Sequence, residues 1–414
     1  MKSAREIWSW RLLPMGILLL AVLFLPSLGT ERLAPPPLPD PPPEFDTPLP
    51  NPLPDPVPEP EPIPEPTAAE RALSEMDLRQ KVYQLFVVFP QSLGLPRREA
   101  GEQAGDLLER YPVGGLIYDR THLENRDQVR TMLNRTQSAS RIPLILTCDE
   151  EGGRVNRLMG TVGTPYVGPM LNYRSQGAEK AAENAETIAG GLISCGFNFD
   201  LAPVADVWSN QSNTVIGNRA YSTDFGEAAE LVTAAVEGFH VGGVGCTLKH
   251  FPGHGDTAED SHEGSAYLRK SEAQLRREEL VPFEAGIRAG ADAVMVGHLM
   301  VPALDSVPAP FSEKIVTELL REELGFDGVV MTDSLEMKAL SDRYDSGEIA
   351  VRAVRAGVDV LLCPVDLEAA AEALIKEAEA SEEMAGRIDE SALRVLSMKE
   401  AMGLFSTETA EKGA

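Results

Sequence analysis

The chain has 414 residues, a formal net charge of −27 and a hydrophobic content of 43%, enough for one large domain or two ordinary ones. So acidic a surface repels phosphates, which argues against a nucleic-acid partner. The four cysteines, Cys148, Cys195, Cys246 and Cys363, include no CxxC pair, which argues against a zinc ribbon or redox motif, and they read as buried thiols.

The N-terminus has the pattern of a targeting segment. Lys2, Arg5 and Arg11 precede a run without charge from Leu12 to Thr30, and Ser27-Leu28-Gly29 offers small residues for cleavage. Residues 1–30 are therefore expected to be a signal peptide or a membrane anchor. Residues 31–66 follow as a Pro-rich disordered linker. From 35 to 66 there are 17 prolines, seven acidic residues and no basic ones. Such a stretch cannot bury a core and predicts extended polyproline II, reaching roughly 100 Å at about 3.1 Å per residue. A long stiff spacer is more useful when its far end is attached, so the pair favours a retained tether through residues 12–30 and an exported, extracytoplasmic location.

From Thr67 to the C-terminus the composition is globular. Apolar runs at 82–88, 114–119, 143–149, 198–206, 244–250, 292–298, 328–333 and 359–364 read as strands, with amphipathic helical stretches between most of them. Strands apolar on both faces and separated by helices imply a parallel sheet. About eight such units predict an α/β fold, a TIM-like (β/α)₈ barrel forming one catalytic domain, with a helical tail at 366–402. A doubly wound open sheet is the alternative, weakened because no GxGxxG opens a helix after an early strand. The strand ends favour the barrel. Asp149, Asp206, Lys249 with His250, His298 and Asp333 all fall where a barrel would gather them around one mouth. Capping alone does not explain five strands ending in groups that are costly to bury unpartnered.

The stretch KHFPGHGDTAEDSH, residues 249–262, holds three of the six histidines. Pro252, Gly253 and Gly255 break any helix there, so His250 and His254 do not share a helical face, which weakens a zinc reading. The segment reads as a flap carrying Asp260 and His262. An aspartate two residues before a histidine can hold one ring nitrogen and leave the other for proton transfer. Taken alone, such a pair reads as part of a solvated loop.

The same stretch resembles the signature of family 3 glycoside hydrolases, in their β-N-acetylglucosaminidase branch. DEEGGRVNR (149–157), NFDLAPVADV (198–207), IGNRAYSTD (216–224), VMVGHLMVPALD (294–305) and GFDGVVMTDSLEM (325–337) resemble further segments of that family in order. The resemblance implies a TIM-like barrel and a retaining exo-β-N-acetylglucosaminidase acting on peptidoglycan fragments. It implies Asp333 as nucleophile, His262 as acid/base oriented by Asp260, and Asp149, Arg157, Arg219, Lys249 and His250 as residues holding the terminal sugar. His254 and Asp256 read as structural residues shaping the flap and Glu151 as a brace for the Gly152-Gly153 turn, while the resemblance leads one to expect glutamine where Glu150 stands. No metal or organic cofactor is implied. A phosphorylase of the same family and an inactive wall-glycan-binding module are the competing readings. A β-glucosidase is disfavoured because such enzymes usually take their acid/base from a second domain, for which the tail leaves no room. The oligomeric state is left open.

Overall fold

The computed structural model describes residues 37, 39, 40, 65–258 and 264–405. The expected leader at 1–30 and nearly all of the linker at 31–66 lie outside the described residues. Among the described residues no helix is long and apolar enough to cross a membrane.

Eight parallel strands make the barrel: β1 (Phe86–Val88), β2 (Gly115–Ile117), β3 (Ile145–Cys148), β4 (Phe199–Asp200), β5 (Gly245–Phe251), β6 (Ala293–Val296), β7 (Val329–Thr332) and β8 (Leu361–Leu362). Each pairs with its neighbour in chain order, and β8 pairs back onto β1. The parallel bridge Met331↔Val360 closes the remaining seam between β7 and β8. Alternation along each strand explains the two apolar faces. Val87, Ile117, Ile145, Phe199, Met295, Met331 and Leu362 fill the barrel interior, while Val88, Leu116, Leu146, Val294 and Val330 pack outward under the helices. Each such aliphatic side chain, once buried, stabilises the fold by about 1.5–3 kcal/mol. All four cysteines are buried free thiols, as expected from the sequence.

Several boundaries differ from the sequence reading, each for a local reason. The run 82–88 is split, because Asp77 and Gln80 form a capping box that starts the helix Leu78–Gln84 and leaves only Phe86–Val88 extended. The run 198–206 is a strand only at Phe199–Asp200. Pro203 has no N–H for a ladder, and the chain continues irregularly to Asp206 with a single bridge from Val204 to Lys249. The amphipathic stretch before β6 folds as two helices, Glu272–Arg277 and Leu280–Arg288, and the tail as Leu367–Ala380 and Glu382–Ala401, with Ser381 capping the second.

The last helix closes the N-terminal end of the barrel. Its Val395 and Met398 belong to the interior cluster beside Ala293 and Val329, the first residues of β6 and β7. Fully buried Asp359 anchors this helix, accepting from Arg387 at 2.7 Å, Ser391 at 2.8 Å and Arg394 at 3.3 Å, and from Arg321. The first globular helix, Ala68–Glu75, docks on the same helix. The Glu400 carboxylate accepts from the backbone N–H groups of Ala68 at 2.8 Å and Ala69 at 3.1 Å, satisfying two donors that a helix start otherwise leaves unpaired.

Candidate active site

At the opposite, C-terminal end of the strands lies a cavity of ≈ 520 Å³. Small-molecule sites typically measure about 300–1,000 Å³. Asp149, Arg157, Arg219, Lys249, His250 and Asp333 all line it, so the structure brings together six of the eight residues singled out from sequence. The other two, Asp260 and His262, lie outside the described residues.

The loop after β3 builds one wall. Gly152 and Gly153 take positive φ values of 82° and 62°, and a Cβ on Gly153 would lie 2.8 Å from the Pro169 Cα. The resulting turn, closed by Glu151 N–H donating to the Val155 carbonyl, brings Arg157 back beside Asp149, whose Oδ2 accepts from Nη2 at 2.8 Å. Buried Glu150 holds the far side of the loop, accepting from the N–H groups of Arg157, Leu158 and Met159 at 2.5, 2.9 and 3.1 Å. Oε2 accepts from Arg157 and Leu158 and Oε1 from Met159, so a glutamine would keep the first two bonds through its carbonyl and set its NH2 against the Met159 N–H. Burial pushes the Glu150 carboxyl up despite those donors.

Lys249, buried near the end of β5, joins two carboxylates. Its Nζ lies 2.8 Å from Asp149 Oδ1 and 2.6 Å from Glu151 Oε1. Glu151 in turn accepts a two-pronged contact from Arg219, with Nε and Nη2 both at 2.8 Å. The Glu151 side chain therefore does not brace the glycine turn, as expected from sequence; it bridges two cations, because an ionised carboxylate so deeply buried needs opposite charge. Burial raises Asp149 and Glu151, but Lys249 and Arg157 for the first, and Arg219 and Lys249 for the second, outweigh it and hold both below the usual carboxylate range. Lys249 is correspondingly pushed up, the two carboxylates overcoming its desolvation.

Asp206 organises the next strand end. It accepts from the backbone N–H of His250 at 3.1 Å and of His254 at 2.6 Å, and pairs with His250 Nδ1 at 2.7 Å. Nε2 is then the His250 nitrogen left for the cavity that the residue lines. Asp333 follows β7. Its N–H donates to the Val296 carbonyl at 3.1 Å, and its Oδ1 accepts from the Ser334 N–H at 2.7 Å. Burial raises its pKa, yet the charges of His250 and His298, the Ser334 N–H and Lys249 together hold it low, so the carboxylate is ionised near neutral pH.

The family defined as the glycosyl hydrolase family 3 N-terminal domain matches residues 77–398 of this sequence. The chain belongs to glycosyl hydrolase family 3. Beta-hexosaminidase A of Pseudoalteromonas piscicida is 36% identical over 284 residues, covering 64% of this chain and 48% of that protein. Beta-hexosaminidase of Stenotrophomonas maltophilia (strain R551-3) is 35% identical over 280 residues, covering 65% of this chain and 82% of that protein. The solved structure of a glycoside hydrolase family 3 beta-N-acetylglucosaminidase from Paenibacillus sp. str. FPU-7 superposes with a TM-score of 0.75 at 39% identity, covering 80% of this chain and 64% of that one. This family 3 chain thus spans 48% of the first of these relatives and 64% of the solved one.

Two residues of this family 3 site had no binding or catalytic part in the sequence reading. Asp206 was visible only as a polar strand end, and Glu151 only as a brace for the Gly152-Gly153 turn. The described segment leading toward Asp260 and His262 is also better defined than its sequence suggested. His254 is buried, with Nδ1 2.7 Å from Thr257 Oγ1 and its carbonyl accepting from Asn213 Nδ2 at 2.7 Å. A Cβ on Gly255 would fall well inside contact distance of the Val207 carbonyl oxygen. Gly255→Ala is therefore expected to lower stability by about 1–3 kcal/mol, and to reduce activity more than stability because it displaces the residues leading to His262. Thermal melts and kinetics on one preparation check this. An alanine variant with unchanged kinetics would count against a fixed segment there.

Proposed function

We propose that the protein is a retaining exo-β-N-acetylglucosaminidase that removes terminal N-acetylglucosamine from glycans, with peptidoglycan fragments as substrate and an extracytoplasmic place of action. The observation that carries this reading is the presence of the Asp333 carboxylate in the same cavity as the ion-paired Asp149, Arg157, Lys249 and Arg219. The names of the Stenotrophomonas and Paenibacillus relatives support the sugar, and the apolar run at 12–30 supports export.

In this mechanism Asp149 accepts from sugar hydroxyls while Lys249 and Arg157 donate to them, fixing the ring over Asp333. Asp333 attacks the anomeric carbon as the glycosidic C–O bond breaks, and the leaving oxygen takes a proton from His262. His262, oriented by Asp260, then removes a proton from water. The water attacks the glycosyl ester, releasing the sugar with its configuration retained and restoring Asp333 and protonated His262. A histidine's ordinary pKa near 6.5 suits it to both half-reactions.

Turnover of a chromogenic N-acetyl-β-glucosaminide, followed by NMR with and without phosphate, tests the reading. Free β-configured sugar in both buffers is expected. Sugar 1-phosphate, or no turnover by folded protein, would overturn it. His262→Ala should cost about 10²–10⁴-fold on a disaccharide, and much less on a substrate with a good leaving group. Equal losses on both would remove His262 from the acid role.

A further inference from the structure

Far from the mouth, at the N-terminal end of the barrel, three different donor side chains converge. His240 lies in the last turn of the helix Phe225–Val241, Cys246 is the second residue of β5, and Asp292 immediately precedes β6. His240 Nε2 is 2.9 Å from Asp292 Oδ2 and 3.9 Å from Cys246 Sγ, and the three donor atoms lie within 4.8 Å of one another. Among the described residues this is the one place where three such side chains meet at that spacing.

The arrangement is not a nucleophile, base and orienting-acid relay. In such a relay the carboxylate and the thiol engage opposite nitrogens of the imidazole. Here both face the same nitrogen. Donors aimed at one point are instead what a shared cation requires. For bond lengths of about 2.0–2.3 Å in a tetrahedral site, ligand atoms sit about 3.3–3.6 Å apart, so small rotations of these side chains bring them to coordinating distance. Asp292 is already oriented, because its Oδ2 accepts from the Cys246 N–H at 2.9 Å. The Cys246 side chain is fully buried, and that of His240 is 36% exposed, which leaves one side open for entry and for a water as fourth ligand.

We propose that His240, Cys246 and Asp292 bind a single thiophilic divalent cation of the zinc type. A thiolate, an imidazole and a carboxylate together suit such an ion better than magnesium or calcium, which prefer all-oxygen sites. On binding, His240 Nε2 gives up the proton it shares with Asp292 and the Cys246 thiol loses its own, both to solvent, as the metal–nitrogen and metal–sulfur bonds form. The ion ties the end of one outer helix to the starts of two adjacent strands, so its role is structural. It stands apart from the sugar site and does not depend on the proposed hydrolysis.

The test uses the full chain, stripped with chelator and titrated with cadmium. An ultraviolet sulfur-to-cadmium charge-transfer band saturating at one equivalent is expected, with zinc displacing cadmium and either ion raising the melting temperature. Cys246→Ser should abolish the band. His240→Gln should weaken cadmium binding by about tenfold or more. Cation capture by histidines of the flap would give no sulfur band, so the two sites are distinguishable. No band at stoichiometric cadmium, a band surviving in Cys246→Ser, or unchanged affinity in His240→Gln would each overturn the proposal. Should Cys246→Ser fail to fold, the His240→Gln affinity decides.

Discussion

Replacing Asp333 with asparagine is expected to lower kcat by roughly four orders of magnitude or more while leaving sugar affinity within a few-fold. The substitution is nearly isosteric. The amide oxygen can still accept from the Ser334 N–H, and the backbone bond to Val296 is untouched, so the side chain stays where it is. The negative charge and the nucleophilic oxygen are what disappear. In the native chain the cations around the cavity and the Ser334 N–H keep that carboxylate ionised against the cost of burial. The groups assigned to the sugar hydroxyls, Asp149, Arg157 and Lys249, remain paired with one another. Steady-state kinetics and calorimetric titration with the free sugar check both halves. A variant within about tenfold of native turnover would end the case for Asp333 as nucleophile.

Lys249→Met carries the second large effect, on stability as well as activity. The ammonium is buried between Asp149 and Glu151, and methionine fills its space without its charge. Asp149 keeps Arg157 and Glu151 keeps Arg219, so the loss should lie near the lower end of the range for a broken buried pair, about 3 kcal/mol. Removing a charged donor from the sugar should lower kcat/KM by about a hundredfold. The pH dependence has a definite sign. Asp149 and Glu151 have folded-state pKa values below their ordinary ones near 4. Their ionised forms therefore stabilise the native state above that range, and the contribution is lost as pH falls through the depressed values. Without Lys249 the depression shrinks, and the acid-unfolding midpoint should move to higher pH. Melting curves between neutral and strongly acid pH measure it. An unmoved midpoint would mean that the two arginines suffice.

The barrel was legible because its physics is repetitive. Strands buried on both faces leave apolar runs, and a shared mouth leaves polar residues after them, as at Asp149, Lys249 and Asp333. The less legible parts are those in which partners are far apart along the chain. Nothing near Asp206 announces that it will hold His250, 44 residues later. Glu151 sits in a glycine-rich turn and looks like part of it, until Arg219, 68 residues away, is brought beside it. Strand ends are also set by tertiary contacts that periodicity does not carry. The apolar run at 198–206 looks continuous, yet Pro203 cannot extend the ladder. The convergence of His240, Cys246 and Asp292 left no motif, because their spacing depends on a helix end meeting two strand starts.

The carboxylate of Glu400 has a consequence for handling this molecule. By capping the first globular helix, it fastens the entry point of the chain to the helix that plugs the barrel floor, on the side away from the sugar cavity. Whatever precedes Thr67, whether a native leader, a fusion partner or a linker to a solid support, is joined to the barrel at its floor. An attachment made directly at Thr67 starts from the floor, at the opposite end of the barrel from the cavity that Asp333 lines.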